Sequence, residues 1–343
     1  MTQQPNRRQR ALITGGAGFI GSALARVLLA SFDEITVLDN LATGRRENLA
    51  ELPPGRVRFV EGDVRDSRLL DDCLPGAAVV YHLACLGVRH SLHAPRENFS
   101  VNAEGTLAVL EAARRHRTPR LVHVSSSEVY GDAGQTPMTE DHPCRPNTVY
   151  AAGKLAGEAL VRALARTADL PAVIVRPFNT YGPRSHHEGD SGEVIPKFLL
   201  RGLAGRPLVV FGDGEQTRDF LYVDDTARGI AAAGLVPAAV GLTLNLGSGR
   251  EISIRELAGQ IGPLIGRPET AIEFAPARPG DTRRLLADAG LARRVLNFTP
   301  AVSLEEGLRA LLAWYRARPV SPEELLREEI TFNWRTPDGA HDD

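Results

Sequence analysis

The chain has 343 residues, with 40 basic against 42 acidic side chains and a formal net charge of −2. This balance excludes an electrostatic case for nucleic acid or a membrane surface as a partner, and no apolar run is long enough to span a bilayer. The length can bury a sizeable core and allows one large domain or two ordinary ones.

The cysteines and the amino terminus both favour a cytoplasmic location. Cys73, Cys85 and Cys144 are odd in number and lack C-x-x-C spacing. We therefore expect reduced thiols, with neither a disulfide framework nor a zinc site. Residues Met1 to Arg10 are polar and basic without an apolar segment, which predicts a loose leader instead of a signal peptide.

A short apolar strand at Ala11–Thr14 leads into a glycine-rich turn. Gly15, Gly18 and Gly21 stand at regular spacing, and a helical run follows from Ser22. Glycine permits the tight turn and lets backbone N–H groups approach a pyrophosphate at the helix N-terminus. The position of this turn between a strand and a helix predicts a dinucleotide-binding site.

The second strand, Glu34–Leu38, ends at an acidic residue. Asp39 follows the last glycine by roughly 20 residues, the distance at which a carboxylate reaches the adenosine ribose hydroxyls in dinucleotide-binding folds. A carboxylate there repels the 2′-phosphate of NADP, so Asp39 predicts NAD as the cofactor. Arg45 and Arg46 lie nearby and keep NADP open as the alternative.

Strands and helices continue to alternate after this point. Apolar strands are predicted at Val57–Val60, Ala77–Ala84 and Leu121–Val124, with a helix at about Ser100–Arg115 before the last of them. Such alternation describes an α/β fold with a parallel, doubly wound sheet of the Rossmann type. Open sheets of this kind bind ligands at the carboxyl ends of their strands.

A tyrosine and a lysine stand four residues apart in the next helical run. At that spacing Tyr150 and Lys154 lie on one helix face, one turn apart. An ammonium beside a phenol favours the phenolate and lowers the phenol pKa, so Tyr150 is predicted to take a proton from a hydroxyl near neutral pH. Ser126 follows the strand at Leu121–Val124, whose carboxyl end is a ligand position.

Two helices carry broader apolar faces than one side of the sheet needs. These faces lie near Leu107–Leu110 and Leu155–Leu160. An apolar helix face has to be buried against another element of the same chain or of a partner. We therefore expect a homodimer, in which the helices of two copies form a four-helix interface.

Motifs spread along the chain resemble those of one protein family. They are, in chain order, Gly62-Asp63-Val64, His82-Leu83-Ala84, Tyr150-x-x-x-Lys154, Arg176-Pro177-Phe178-Asn179-Thr180-Tyr181-Gly182-Pro183-Arg184, Gln216-Thr217-Arg218-Asp219-Phe220 and Arg278-Pro279-Gly280-Asp281. The chain resembles the extended short-chain dehydrogenase/reductase family, in its branch of nucleotide-sugar epimerases, dehydratases and decarboxylases. The resemblance extends from the glycine-rich turn to about Tyr315.

The resemblance implies an NAD cofactor and a set of residues that bind it. The implied cofactor-binding residues are Gly15, Gly18, Phe19, Ile20 and Gly21 at the pyrophosphate, Asp39 and Asn40 at the adenosine ribose, Asp63 and Val64 at the adenine, Leu83 and Ala84 along the cofactor channel, and Tyr150 and Lys154 at the nicotinamide end.

The resemblance also implies a UDP- or TDP-sugar as the substrate. Arg218 and Arg278 resemble arginines that bind the diphosphate, for which a planar, permanently charged fork is well suited. The strand Leu208–Phe211 offers an edge for a uracil or thymine base. The implied substrate-binding residues are Ser127, Asn179, Arg184, Val209, Phe211, Arg218 and Arg278.

The order of these motifs predicts two domains. Residues 1–180 form the NAD-binding Rossmann domain, and residues 219–248 return to it. Residues 181–218 and 249–330 form a smaller, discontinuous α/β domain for the nucleotide sugar, and residues 331–343 are a tail that frays after Trp334. Capping boxes at Ser253–Glu256 and Ser303–Glu306 open two late helices.

A polar insert at Arg184–Glu193 lies in the predicted substrate region. Its adjacent histidines, His186 and His187, raise the question of a metal site, but no third ligand is evident in the sequence. We therefore predict a mobile substrate loop and no metal.

The triplet Ser126-Ser127-Glu128 bears on the reaction. The resemblance implies that the tyrosine, assisted by the serine, removes the C4 hydroxyl proton of the sugar while the C4 hydride passes to NAD⁺. In sugar 4,6-dehydratases an aspartic acid at the position of Ser127 then protonates the departing C6 hydroxyl, and a serine is a poor general acid. A 4-keto uronic acid is a β-keto acid, which loses CO₂ without a proton donor.

The triplet therefore favours a UDP-glucuronic acid decarboxylase that gives UDP-4-keto-pentose or UDP-xylose. Its implied catalytic residues are Ser126, Glu128, Tyr150 and Lys154. The residues at 129–132 also resemble those of such decarboxylases, whereas Ala151-Ala152-Gly153 replaces the acidic residues common there. A 4-epimerase and a 4,6-dehydratase remain alternatives. A non-enzymatic NAD-binding sensor or scaffold is a further alternative, although it has no need for a tuned phenol.

Overall fold

A computed structural model describes residues 9–132, 134–278 and 280–334 of the chain. Within these ranges the chain forms fourteen strands. They are β1 (Arg10–Thr14), β2 (Glu34–Asp39), β3 (Val57–Glu61), β4 (Ala77–His82), β5 (Leu121–Val124), β6 (Ala172–Pro177), β7 (Asn179–Tyr181), β8 (Leu208–Phe211), β9 (Thr217–Arg218), β10 (Phe220–Tyr222), β11 (Thr243–Leu246), β12 (Ile252–Ser253), β13 (Ile272–Ala275) and β14 (Arg284–Leu285).

The same ranges contain twelve α-helices. They are α1 (Phe19–Leu28), α2 (Ser67–Cys73), α3 (His90–His93), α4 (Pro95–Phe99), α5 (Gly105–Arg115), α6 (Val149–Thr167), α7 (Val194–Leu203), α8 (Val223–Leu235), α9 (Ile254–Ile265), α10 (Gly290–Leu296), α11 (Leu304–Arg316) and α12 (Pro322–Leu325). Among the described residues, no helix is long and apolar enough to cross a membrane.

A seven-stranded parallel sheet forms the centre of the fold, in the order β3-β2-β1-β4-β5-β6-β11. The chain first moves outward from β1 to β3 and then returns to the other side of β1 with β4. The strand order therefore reverses between β1 and β4, and a crevice at such a point is where open α/β sheets bind ligands. The predicted doubly wound, Rossmann-type α/β fold is confirmed.

Helices cover both faces of this sheet. Along β1, Ala11 and Ile13 belong to a core that also contains residues of α1 and α8, whereas Leu12 belongs to a second core with residues of α2, α5 and α6. This alternation follows from the pleat of a strand, which turns successive side chains to opposite faces. Burial on both faces explains why the strands read as nearly continuous apolar runs.

The helical segment predicted at about Ser100–Arg115 begins earlier than expected. It starts with α4 and passes through a π-helical turn at Ser100–Glu104 before it continues as α5. Asn102 lies in this turn, and its buried amide both accepts from the backbone N–H of Leu86 and donates to the Leu86 carbonyl. The turn thereby fixes the loop that follows β4, a loop that borders the ligand end of the sheet.

The helix ends follow the capping signals in the sequence. Both predicted capping boxes, at Ser253–Glu256 and Ser303–Glu306, are present. The helix α6 is capped by Thr148, whose side chain accepts from the backbone N–H of Ala151 at 3.2 Å. This cap fixes where the helix begins and so fixes the position of Tyr150 in its first turn.

Short sheets connect the remaining elements. β7 pairs with β10, β8 pairs with β13, and β9 lies between β12 and β14. The strand β11 comes late in the chain and still lies in the central sheet beside β6. The predicted division into two domains remains a prediction. The predicted leader lies mostly outside the described residues. The fraying tail after Trp334 lies entirely outside them, as does Pro279 of the Arg278–Asp281 motif.

Candidate active site

A cleft of about 460 Å³ opens at the carboxyl ends of β1, β2, β4 and β5. It brings together almost every site residue that the sequence suggested. Those that line it are Gly15, Gly18, Phe19, Ile20, Gly21, Asp39, Asn40, Asp63, Val64, Leu83, Ala84, Ser126, Ser127, Glu128, Tyr150, Lys154, Asn179, Val209, Phe211, Arg218 and Arg278.

Arg184 is the exception, because it does not lie among the described residues that line this cleft. Its guanidinium pairs with the carboxylate of Glu51 at 2.7 Å. The backbone at Arg184 has a φ of +73°, which is uncommon for a residue with a side chain. We therefore leave Arg184 out of the proposed substrate site.

The glycine-rich turn has the geometry of a phosphate cradle. Gly15 has a φ of +71°, and a Cβ there would lie 2.6 Å from the backbone nitrogen of Ala84. A Cβ on Gly21 would collide with the carbonyl oxygen of Gly15. The start of α1 lines the cleft through Gly18, Phe19 and Ile20, and helix N-termini favour anionic groups. These residues fit the pyrophosphate of a dinucleotide.

Asp39 is fixed by the backbone at the end of β2. Its buried carboxylate accepts from the N–H groups of Ala17 at 2.9 Å and Leu41 at 2.8 Å. Burial raises the pKa of Asp39, and the backbone hydrogen bonds oppose that rise. The carboxylate is thereby held at the mouth of the cleft, which suits ribose hydroxyls.

The two arginines that left NADP as an alternative cofactor both form ion pairs with carboxylates of this chain. Arg45 pairs with Glu188 at 2.8 Å, and Arg46 pairs with Glu61 at 2.6 Å. A phosphate would have to compete with these carboxylates for either guanidinium. The arrangement around the end of β2 therefore favours a ribose with free hydroxyls.

The catalytic candidates meet where β5 and α6 approach each other. Ser126 follows β5, and its side chain accepts from the backbone N–H of Glu128 at 3.2 Å. Tyr150 and Lys154 lie one turn apart on α6. The ammonium of Lys154 is buried and donates to the carbonyl of Val124 at 2.6 Å, which ties the helix to the end of β5.

The pKa of Tyr150 differs from the sequence-based expectation. Burial raises it above the ordinary value for tyrosine, while a hydrogen bond with the Ser126 side chain acts in the opposite direction. The expected lowering by Lys154 was wrong for the protein alone, because burial dominates and the ammonium is bound to a backbone carbonyl. Burial also lowers the pKa of Lys154.

Glu128 lies among arginines. Burial raises the pKa of its carboxyl group, while Arg218, Arg89 and Arg278 lower it. Arg218 is held in place by Asp281 at 2.6 Å and by the carbonyl oxygen of Thr282 at 2.7 Å. The site can therefore hold a proton on Glu128 and still present positive charge to an anionic ligand.

Several buried polar atoms in the cleft have no hydrogen-bond partner within the described part of the chain. They are the Oδ1 atom of Asn179 and the Nε atoms of Arg89 and Arg278. A buried polar group without a partner costs free energy. These atoms are consistent with a polar ligand that contacts both arginines and the asparagine.

Sequence reasoning missed some lining residues, including Cys85, Arg89, Glu193 and Lys197. Burial raises the pKa of Glu193 to about 7 and lowers the pKa of Lys197 to about 8. Cys85 and Arg89 lie in the loop after β4, and loops at the carboxyl end of a parallel sheet are ligand positions. That position was the available signal for these two residues.

The polar insert is connected to both sides of the cleft. Glu188 contacts His187 at 3.1 Å and Arg45 at 2.8 Å, and Asp190 contacts His93 at 2.7 Å. Within the described ranges, no group of three His, Cys, Asp or Glu residues is placed to hold a metal ion. The mobility predicted for this loop remains a prediction.

Known proteins resemble this chain over most of its length. Residues 11–247 match the model of the NAD dependent epimerase/dehydratase family. The chain is 40% identical over 313 residues to the UDP-glucose 4-epimerase of Mycolicibacterium smegmatis, which covers 90% of this chain and 98% of that protein. It is 36% identical over 325 residues to UDP-glucuronic acid decarboxylase 1 of Arabidopsis thaliana, which covers 93% and 72%.

A solved structure shows the same architecture. The dTDP-glucose 4,6-dehydratase of Streptomyces venezuelae, crystallised with NAD and TYD bound, superposes with a TM-score of 0.84 at 37% identity. The match covers 90% of this chain and 97% of that one. The resemblance implied by the motifs is confirmed. This chain belongs to the NAD-dependent epimerase/dehydratase family of nucleotide-sugar enzymes, and its cofactor is NAD.

Proposed function

We propose that this protein is an NAD-dependent decarboxylase of UDP-glucuronic acid that releases UDP-4-keto-pentose or UDP-xylose. The observation that carries the proposal is that Ser127 lines the same cleft as several arginines. Ser127 is buried at the cleft, in the position where a dehydratase needs an acid. Arg89, Arg218 and Arg278 supply positive charge around Glu128, which suits a substrate that bears both a diphosphate and a carboxylate.

The proposed chemistry begins at the C4 hydroxyl of the sugar. Tyr150 removes the hydroxyl proton, and its hydrogen bond with Ser126 stabilises the phenolate that this requires. Lys154, fixed on the Val124 carbonyl, lies one helical turn after the same tyrosine. When bound, NAD⁺ would supply the acceptor for the C4 hydride.

Decarboxylation follows from the ketone at C4. The C5–C6 bond breaks, CO₂ leaves, and the electron pair passes into the C4 carbonyl to give an enolate. A proton then returns to C5. Glu128 is a suitable donor because burial raises the pKa of its carboxyl group. Loss of water from C6 would instead need a proton at the leaving hydroxyl, and Ser127 is too weak an acid to supply it.

A 4-epimerase is the second candidate. The 40% identity to the UDP-glucose 4-epimerase of Mycolicibacterium smegmatis favours it. Such an enzyme needs the same tyrosine, lysine and serine, but it returns the hydride to C4 and has no need of Glu128. The 4,6-dehydratase reaction and a non-enzymatic NAD-binding role remain further outcomes of the test below.

The test is a set of incubations with NAD⁺ and each of UDP-glucuronic acid, UDP-glucose and TDP-glucose, read by mass spectrometry for the mass of the product and by proton NMR for the configuration at C4. We expect UDP-glucuronic acid to lose CO₂ and the two hexose nucleotides to keep their water. Glu128→Gln should slow product formation without abolishing C4 oxidation. Ser127→Asp should weaken the use of UDP-glucuronic acid, since the new carboxylate repels the substrate carboxylate.

Three outcomes would overturn this assignment. Loss of water from a hexose nucleotide would identify a dehydratase. An unchanged mass with inverted configuration at C4 would identify an epimerase. No reaction with any of these sugars, together with tight NAD binding, would favour the sensor or scaffold.

A further inference from the structure

A segment at the end of the predicted substrate domain and just after it contacts the cleft. We name residues Glu329–Trp334 the C-terminal strap. Its backbone and side chains are attached to the far wall: the Ile330 carbonyl accepts from Lys197 at 2.7 Å, and Glu329 pairs with Arg201 at 2.9 Å. The Asn333 amide donates to the carbonyls of Asp190 at 3.0 Å and Gly192 at 3.2 Å. The strap is therefore a fixed part of the structure.

The strap also forms part of the cleft surface. Glu329 and Thr331 line the same cleft as Tyr150 and Lys154. The Asn333 side chain is buried beneath the polar insert. The strap thus contributes residues to the same cleft that the glycine-rich turn and the cofactor residues line.

The end of the strap meets the predicted nucleotide residues. The rings of Trp334 and Phe211 lie edge to face, with centroids 4.7 Å apart. The guanidinium carbon of Arg278 lies 5.3 Å from the Trp334 ring and 5.4 Å from the Phe211 ring. Both distances are within the range of cation–π attraction. Two aromatic rings therefore lie beside the guanidinium, and one of them, Phe211, also lines the cleft.

This arrangement leaves the polar atoms of Arg278 available. Its buried Nε has no hydrogen-bond partner among the described residues. Arg218, in contrast, donates hydrogen bonds from its guanidinium to Asp281 and to the Thr282 carbonyl. A guanidinium that is held by ring faces keeps its fork of N–H groups for an incoming anion, and such forks match the oxygens of a phosphate.

We propose that Trp334 is a positioning residue for the nucleotide diphosphate, which it serves by holding the Arg278 guanidinium against Phe211. The C-terminal strap thereby becomes a wall of the nucleotide-sugar site. This inference rests on the proposed function only in that the ligand is a nucleoside diphosphate sugar. It does not depend on whether the sugar is decarboxylated, epimerised or dehydrated.

The first test measures the binding of UDP by calorimetry, without turnover. Trp334→Ala should weaken UDP binding about five- to ten-fold, as loss of a desolvated cation–π contact predicts, and should leave NAD⁺ binding unchanged. Trp334→Phe should retain most of the affinity. Trp314→Ala is the matched control, because the Trp314 ring lies 4.7 Å from the Arg318 guanidinium and does not line the cleft. It should bind UDP like the wild type.

A double-mutant cycle separates positioning through Arg278 from a direct role of Trp334. In the Arg278→Ala background, Trp334→Ala should change UDP affinity by less than two-fold. A full additional loss in that background would overturn the inference, and so would wild-type affinity in Trp334→Ala itself. A failed decarboxylation assay has no bearing on these measurements, so the two proposals fail separately.

If Trp334→Ala does not fold, a fluorescence measurement tests whether Trp334 acts through Arg278. The chain contains two tryptophans, so Trp314→Phe leaves Trp334 as the single reporter. UDP should change the emission of Trp334 in this variant, because the diphosphate pairs with the charged guanidinium that lies 5.3 Å from its ring. The change should disappear when Arg278→Ala is added. Trp334 emission that does not change when UDP is added would contradict the inference. An equal change in the variant that also carries Arg278→Ala would contradict it as well.

Discussion

Arg176 and Glu158 form a buried, bidentate ion pair beneath the two segments that carry the catalytic candidates. The Nε and Nη2 atoms of Arg176 donate to the two carboxylate oxygens of Glu158 at 2.8 and 2.7 Å. The Nη1 atom donates to the Tyr130 hydroxyl at 2.8 Å. Glu158 lies on α6, two turns after Tyr150, and Tyr130 ends the short turn that carries Glu128. One guanidinium thus fixes the spacing between these segments.

The first prediction concerns this pair. Arg176→Met should lower the free energy of unfolding by about 3–5 kcal/mol, because it leaves a buried carboxylate without its partner. Arg162 contacts the same carboxylate at 2.8 Å but is 39% exposed, so Arg162→Met should cost below about 1 kcal/mol. Urea denaturation of both variants measures the difference. Equal losses would contradict the view that the buried partner dominates.

The second prediction concerns Tyr150 as the base. Tyr150→Phe should reduce turnover by roughly two to four orders of magnitude, since the group that accepts the C4 proton is lost. The ring keeps its buried position, so NAD and nucleotide-sugar binding should stay near their wild-type values by calorimetry. Turnover that survives the substitution would assign Tyr150 a packing role on the helix surface.

The third prediction is a pH profile. Tyr150 acts only when deprotonated, and burial raises its pKa, so kcat/KM should rise with pH along an acid limb. The Ser126 hydrogen bond lowers that pKa. Ser126→Ala should therefore shift the limb to higher pH and reduce activity at neutral pH by about 10- to 100-fold. Ser126→Thr retains the hydroxyl and should restore the position of the limb. A limb that stays in place in Ser126→Ala would refute this coupling.

The fourth prediction concerns cofactor choice. NAD⁺ should bind more tightly than NADP⁺ by about ten-fold or more, because the Asp39 carboxylate repels a 2′-phosphate. Asp39→Asn removes the charge but keeps one side-chain oxygen, which can still accept a hydrogen bond from one of the two backbone N–H groups that donate to Asp39. The preference should shrink in this variant. Equal affinity of the wild type for both cofactors would rule out the assigned role of Asp39.

The fifth prediction is a homodimer through α4, α5 and α6. Phe99 and Leu107 are 42% and 36% exposed on these helices, whereas Leu110 is fully buried. Leu107→Glu combined with Phe99→Glu should give a monomer by light scattering at micromolar concentration. Leu235 is 42% exposed, like Phe99, but it belongs to α8, a helix that packs on the other face of the sheet. Leu235→Glu should therefore leave the dimer intact. A monomeric wild type would contradict the prediction.

The cofactor side of the cleft was predictable because its signals are local. Gly15 and Gly21 stand in a glycine-rich turn between a strand and a helix, and Asp39 follows them along the chain at a spacing typical of dinucleotide-binding folds. Tyr150 and Lys154 were singled out by their helical spacing together with the glycine-rich turn at the start of the chain. These inferences need no knowledge of how distant segments pack.

The substrate side depended on contacts that a sequence pattern does not contain. Trp334 reaches Arg278 only because the C-terminal strap folds back across the cleft, and Arg184 turns away toward Glu51. The pKa of Tyr150 likewise depends on its burial, which outweighs the neighbouring lysine. In each case, packing between segments far apart in sequence decides the outcome.

The late position of β11 has a consequence for synthesis on the ribosome. β6 is fully buried in the finished sheet, between β5 and β11. Until β11 emerges, the outer edge of β6 presents unpaired backbone groups on an apolar strand, which is a template for pairing with other chains. At roughly 5–20 residues per second, the intervening segment takes several seconds to appear. A nascent chain that ends after β6 is therefore exposed to aggregation, and it is a substrate for chaperones during that interval.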